Sequence, residues 1–176
     1  ELQTAVSTSA GLVSALANPA VGHIVLAPGT YNLSAELNIT RSVVLEAAVA
    51  GSVVLNAQAS YSSQRRVANI NPGPSGVVQV IGLNITGGYV SGFSCNAAGC
   101  TTNGMGGGGI AVWGGTVTIS SSSIYGNAAI YVSGGGVFVQ GGTVAISSCT
   151  ISGNTAPNAG GGVSVSSGAV TITSSS

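Results

Sequence analysis

Gly107-Gly108-Gly109-Ile110-Ala111-Val112 returns as Gly134-Gly135-Gly136-Val137-Phe138-Val139, and again as Gly160-Gly161-Gly162-Val163-Ser164-Val165. Between the copies, Thr116-Val117-Thr118-Ile119 answers Thr143-Val144-Ala145-Ile146 and Ala169-Val170-Thr171-Ile172. Ile124-Tyr125-Gly126-Asn127 answers Ile151-Ser152-Gly153-Asn154. The offsets are 27 residues, then 26. A period of that size marks a repeat array in which each unit buries its apolar side against its neighbours.

Inside one unit the apolar residues alternate: Val137 and Val139, then Val144 and Ile146, then Ile151. Alternation is strand periodicity, here in short runs separated by Gly-Gly or Ser-Ser corners. No helical spacing occurs in the unit, which excludes the ankyrin, tetratricopeptide and leucine-rich patterns. Three short strands per unit, each pairing with its counterpart in the next, predict an all-β right-handed parallel β-helix (a β-solenoid) of about five to six coils. A left-handed hexapeptide helix would repeat at about 18 residues, which this chain does not. The calcium-binding nonapeptide roll needs Asp, and the chain contains none.

The pattern Gly-Gly-[Ile/Val]-x-Val … Val-x-Ile-Ser-Ser-x-x-Ile-x-Gly-Asn resembles the pectin-lyase-like right-handed β-helix proteins. More narrowly, it resembles the polymorphic-outer-membrane-type repeat proteins of bacterial and algal surfaces. Ile24-Val25-Leu26-Ala27-Pro28-Gly29-Thr30-Tyr31 is similar to the usual first coil of such domains. The resemblance implies fold more than function, because it spans enzymes, adhesins and surface proteins.

Charged residues are 3% of the 176 residues: Glu1, Glu36, Glu46, Arg41, Arg65 and Arg66, with net charge zero. An ordinary domain carries about 25%. Such a chain has no electrostatic footprint for nucleic acid or anionic membrane, and no apolar run near the roughly 20 residues of a membrane helix. With no leader pattern at Glu1, the chain reads as a mature or trimmed product.

Leu2 to Ala17 is the one helical candidate, capped by Ser7 or Ser9 and ended by Pro19, so residues 1–22 are expected to cover the open end of the first coil. The β-helix then occupies 23–176. Coil one runs from His23 to Thr40, coil two from Val43 to Ile70, and coil three begins at Val77. Residues 89–109, rich in Gly and Asn, depart from the repeat and are expected to form a lateral loop. In the repeat's register Leu83, Ser122 and Cys149 stack inward, and Asn84, Ser123 and Thr150 stack outward.

Acid–base or lyase chemistry needs clustered carboxylates or an Asp-rich calcium site. Glu36 and Glu46 are the only internal acids, and with Arg41 they read as solvated or locally paired charges rather than a catalytic set. His23 has no ligand partners, so no metal and no cofactor is expected. The glycine triplets precede no Lys and no helix; they serve corners, not phosphates. Cys95 and Cys100 flank four residues and are expected to form a local disulfide. Cys149 reads as a buried thiol. Asn32, Asn38 and Asn84 begin glycosylation sequons at outward strand positions. Asn127 and Asn154 are expected to stack as a hydrogen-bonded ladder. Trp113 and Phe138 are expected to face outward and to be covered by the lateral loop, a sugar chain or a neighbouring molecule. Val170 and Ile172 would present an apolar end to a further coil.

Three functional expectations follow. The first is a non-catalytic structural or adhesive module, extracellular or at the cell surface, associating head-to-tail or continuing into a longer array. The second is a carbohydrate-binding or polysaccharide-degrading protein. The third is an ice-binding face, on the strips Thr116/Thr143/Ala169, Thr118/Ala145/Thr171 and Ser120/Ser147/Thr173.

Overall fold

The computed structural model of the 176-residue chain describes the backbone except at residues 97, 98 and 103–105, and the side chains except at 93–105. The chain opens with β1 (Leu2–Val6) and one helix, α1 (Ser9–Ala17). A first circuit follows as β2 (Val21–Leu26), β3 (Gly29–Asn32) and β4 (Leu37–Ile39), and a second as β5 (Val43–Ala47), β6 (Val53–Asn56) and β7 (Ala68–Ile70). The third contains β8 (Val77–Ile81), β9 (Leu83–Thr86), β10 (Tyr89–Ser91), β11 (Phe93–Asn96), β12 (Gly99–Thr102) and β13 (Ile110–Val112). The fourth is β14 (Thr116–Ser120), β15 (Ser123–Tyr125), β16 (Ala128–Ile130) and β17 (Val137–Val139). The fifth is β18 (Thr143–Ser147), β19 (Thr150–Ser152) and β20 (Val163–Val165), after which β21 (Ala169–Thr173) begins another.

Equivalent strands of successive circuits lie side by side. The first sheet runs β1-β2-β5-β8-β14-β18-β21, the second β3-β6-β9-β15-β19, and the third β4-β7-β13-β17-β20, every pairing in them parallel. The chain is therefore all-β, with mostly parallel strands in stacked sheets, an arrangement compatible with a β-helix. Its register is that of the repeat: Val117 faces Val144, Ile119 faces Ile146 and Ile110 faces Val137. The alternating apolar positions of all three sheets share one core, including Ile24, Leu45, Val80, Ile119 and Ile146 from the first.

Two stretches differ from the sequence reading. Leu2–Val6 is a strand, not part of the helix: it pairs with β2, and so satisfies backbone groups along one side of that strand. Tyr31 ties it down, donating its hydroxyl to the carbonyls of Val6 and Ala27. The helix begins later and is capped by Thr8, neither Ser7 nor Ser9; the Thr8 hydroxyl accepts from the Gly11 amide at 3.0 Å. Its buried residues, Leu12 and Ala15, join the core. The described backbone within 89–109 also includes strands. β10 pairs in parallel with β16, and β11 and β12 form an antiparallel hairpin. The side-chain bond expected between Cys95 and Cys100 lies outside the described residues, but the backbone register sets the two opposite each other.

The corner between the first and second sheets explains the Ser-Ser pairs. Gly82, Ser121, Ser148 and Ser174 all occupy the left-handed region there, with φ of 70°, 50°, 52° and 49°. The next residue turns inward and binds the preceding circuit. Leu83 N–H donates to Ser122 Oγ, and Cys149 N–H donates to Ser175 Oγ, each at 3.1 Å. The Cys149 thiol in turn donates to the carbonyls of Ser147, at 3.2 Å, and Ile119, at 3.5 Å. Burial raises the Cys149 thiol pKa, and hydrogen bonds from the backbone at Ser122 and Ser147 offset part of that rise. The inward column of Leu83, Ser122 and Cys149 is thus as expected, with all three buried.

Candidate functional site

Six charged side chains are few enough to follow individually, and the five internal ones are all engaged. Arg41 donates to the carbonyls of Ala15, Leu16, Asn18, Val21 and Ser42, closing the C-terminal end of α1 with a remote guanidinium. Arg65 donates to the carbonyls of Leu33, Ala57 and Gln58 and to the Ser63 hydroxyl. Glu46 pairs with His23 at 2.8 Å on the outer side of the first sheet. Glu36 lies 3.6 Å from Arg66, whose Nε donates to the Gly106 carbonyl. The two acids each have their own basic partner, and Arg41 joins neither. They are locally paired charges, and among the described residues no three His, Cys, Asp or Glu gather as metal ligands.

The Asn127–Asn154 ladder is present. Asn127 accepts from the Gly88 amide and donates to the carbonyls of Ile85 and Tyr125 and to Asn154 Oδ1. Asn154 repeats the pattern one circuit on, accepting from the Asn127 amide and donating to the Ile124 carbonyl at 2.7 Å. This ladder gives part of the glycine triplet its reason. A Cβ on Gly109 would stand 3.0 Å from Asn127 Nδ2 and 2.5 Å from the Gly136 carbonyl oxygen. One on Gly136 would meet Asn154 Nδ2 and the Gly162 carbonyl in the same way. The triplets and the Gly-Asn turns are one packing unit separated in sequence.

The three sequon asparagines are not equivalent. Asn32 and Asn38 are exposed, whereas Asn84 is half-buried and its Nδ2 donates to the carbonyls of Gly51 and Val53. Ile172 is 49% exposed and Val170 half-buried, while their counterparts Ile146 and Val144 are fully buried.

The outer face of the third sheet carries the most varied chemistry. One column crosses it from Asn38 through Asn69 and Ala111 to Phe138 and Ser164. Asn69 Nδ2 donates to Asn38 Oδ1 at 3.0 Å, and Trp113 Nε1 donates to Asn69 Oδ1 at 2.6 Å. The indole also meets the Phe138 ring edge-on, centroids 6.3 Å apart. Ala111, between Asn69 and Phe138, is fully buried, and Gly107 packs against it: a Cβ on Gly107 would stand 2.9 Å from the Ala111 Cβ. Outward-facing Phe138 is only 5% exposed, and Gly134 packs against it: a Cβ on Gly134 would stand 2.9 Å from the Phe138 Cβ. Alternation alone leaves that cover illegible; the signal is the glycine triplet before β13, β17 and β20, which leaves room for chain to pass close.

A cleft of about 400 Å³ adjoins Trp113, lined also by Glu36, Gln64, Arg65, Arg66, Val90 and Ser91. A second, of about 310 Å³, lies between α1 and the first circuit, lined by Val13, Leu16, Glu36, Asn38 and Arg41 among others. Glu36 borders both. Comparison with protein-family models, curated proteins and solved structures gives no match.

Proposed function

We propose that the chain is a non-catalytic structural or adhesive module of the extracellular space or cell surface. It is a right-handed parallel β-helix of the pectin-lyase-like, polymorphic-outer-membrane-repeat kind, working as a stiff rod. The observation that carries this reading is the stacking of like residues in register: Thr116 on Thr143, Val117 on Val144, Ile119 on Ile146, Ser120 on Ser147 and Asn127 on Asn154. Such ladders resist bending and leave a neutral Ser/Thr/Asn exterior. The pairing of each internal carboxylate with a separate basic partner also favours a scaffold over an enzyme.

The rod lengthens by association. The exposed apolar side chains Ile172 and Val165 are covered when a further parallel circuit docks, either from a longer array or from another copy head-to-tail. Each added circuit extends the axis by about 4.8 Å. Light scattering and negative-stain microscopy of the purified chain test this reading. Rods or concentration-dependent assemblies are expected; a monomer that stays monodisperse at high concentration would overturn the assembly claim. Turnover of polygalacturonate or alginate would overturn the non-catalytic one.

A further inference from the structure

The inward columns of the three sheets keep their character from the first circuit to the last. In the first sheet one column passes through Ile24, Leu45, Val80, Ile119, Ile146 and Ile172. In the second sheet the register leads from Tyr31 to Ile151. In the third it leads from Leu37 to Val163 and from Ile39 to Val165. At the far end Ile172 and Val165 are exposed, and Ile151 and Val163 half-buried. At the near end Ile24, Tyr31, Leu37 and Ile39 are all buried. There β1 holds the place of a preceding circuit's strand, and Leu12 and Ala15 of α1 join the core beside it.

β1 is a poor copy of the strand whose place it holds. Thr4 stands in register with Ile24, a polar residue at the head of an otherwise apolar column. Glu1 packs over Gly22, where a Cβ would stand 2.6 Å from the Glu1 Cβ. The pairing slips by one residue between Leu2 and Gln3. α1 is equally slight: nine residues that include Gly11, Val13 and two serines, with no acid in the first turn and no base in the last. Such a helix is marginal without the body it rests on. Clefts of about 310 and 520 Å³ open beside its exposed Val13, against Leu37 and Leu33 of the first circuit. Two latches hold the segment from outside: Arg41 on the last carbonyls of α1, and the Tyr31 hydroxyl on the Val6 carbonyl.

We propose that β1 and α1 form a displaceable cover, and that the surface beneath them takes the fifth circuit and β21 of a second copy of this chain. The cover swings out as one unit, and the second copy's β21 pairs in parallel with the freed edge of β2. Continuing the columns sets Ile172 on Ile24, Ile151 on Tyr31, Val163 on Leu37 and Val165 on Ile39. Val170 then falls on Gly22, so the exchange puts Ile172 and Val170 where Thr4 and Glu1 now stand. Register selects the partner, because only a chain with the same circuit presents all three edges at once. The proposal rests on the association reading above and adds its control: association is limited by the fraction of chains whose cover is open.

Amide exchange in dilute protein tests the opening. The Ala27 amide donates to the Val6 carbonyl, and the Ala48 amide makes the same bond to Leu26 one circuit on, both at 2.8 Å. Ala27 is expected to exchange together with Leu12 and Asn18 of the cover, roughly tenfold or more faster than Ala48. Equal protection of Ala27 and Ala48 would overturn the proposal. A covalent lock tests the consequence. Ala5 and Val25 are register partners on the outer face, on strands about 4.8 Å apart, within reach of a disulfide. The Ala5→Cys/Val25→Cys chain, its bond confirmed by mass spectrometry, is expected to lose assembly by light scattering when oxidised and regain it when reduced. Arg41→Ala, if folded by circular dichroism, should assemble at a concentration roughly tenfold or more below wild type. The oxidised and reduced comparison stands without that variant. Equal assembly of the oxidised and reduced chains would sink the cover and leave the rod reading intact. Failure of both wild type and folded Arg41→Ala to assemble would sink the association reading and the proposal with it.

Discussion

Replacing Asn127 with alanine tests whether the buried amide ladder, rather than apolar stacking alone, holds the later circuits together. Asn127 is 1% exposed, so water cannot substitute for its side chain. Truncation leaves the Gly88 amide without its 3.0 Å acceptor and removes donors from the carbonyls of Ile85 and Tyr125 and from Asn154 Oδ1. A stranded buried donor costs about 1–3 kcal/mol, and each lost bond nets roughly 0.5–1.5, so the expected cost is about 3–5 kcal/mol. Asn154 is half-buried and solvent can replace part of what it loses, so Asn154→Ala should cost about 1–2 kcal/mol. Urea unfolding measures the total. Because repeat proteins can open segment by segment, amide exchange at Gly88 measures the local loss. A cost below about 1 kcal/mol for Asn127→Ala, or unchanged protection at Gly88, would refute the reasoning.

Three further outcomes are expected. Arg41→Lys should loosen α1 nearly as much as Arg41→Ala, by roughly 2–4 kcal/mol, because one ammonium cannot serve five carbonyls; selective amide exchange in residues 9–18 reads this out. Cys149→Ser should be tolerated within about 1 kcal/mol, since Ser122 and Ser175 already fill that column, whereas Cys149→Ala should cost more by removing the donor to the buried carbonyls of Ser147 and Ile119. The same thiol gives a pH signature. Its pKa is raised in the folded chain, so its contribution is complete below the usual thiol value of 9.0 and is lost as pH rises beyond it; stability measured from pH 7 to 10 should fall at the alkaline end, and less so in Cys149→Ser. Mass spectrometry of oxidised, unreduced protein should find Cys95 and Cys100 joined and Cys149 alone free, a pattern the opposed backbone positions of β11 and β12 favour.

The 27- and 26-residue offsets and the alternation of Val137/Val139 with Val144/Ile146 determined, without coordinates, which strands pair and in what register, because side chains alternate at a period of two and like positions stack. The inward column through Leu83, Ser122 and Cys149 and the Asn127–Asn154 ladder were legible for the same reason: both are periodic. Only the tertiary structure decided what is not periodic. Leu2–Val6 is a strand because β2 offers it a free edge, and local propensity carries no word of that partner. Arg41 serves carbonyls of α1 more than 20 residues earlier in the chain. Glu36 and Trp113 border one cleft although 77 residues separate them. Their meeting depends on how many circuits lie between them and on where each corner turns, which pairwise spacing in the sequence cannot express.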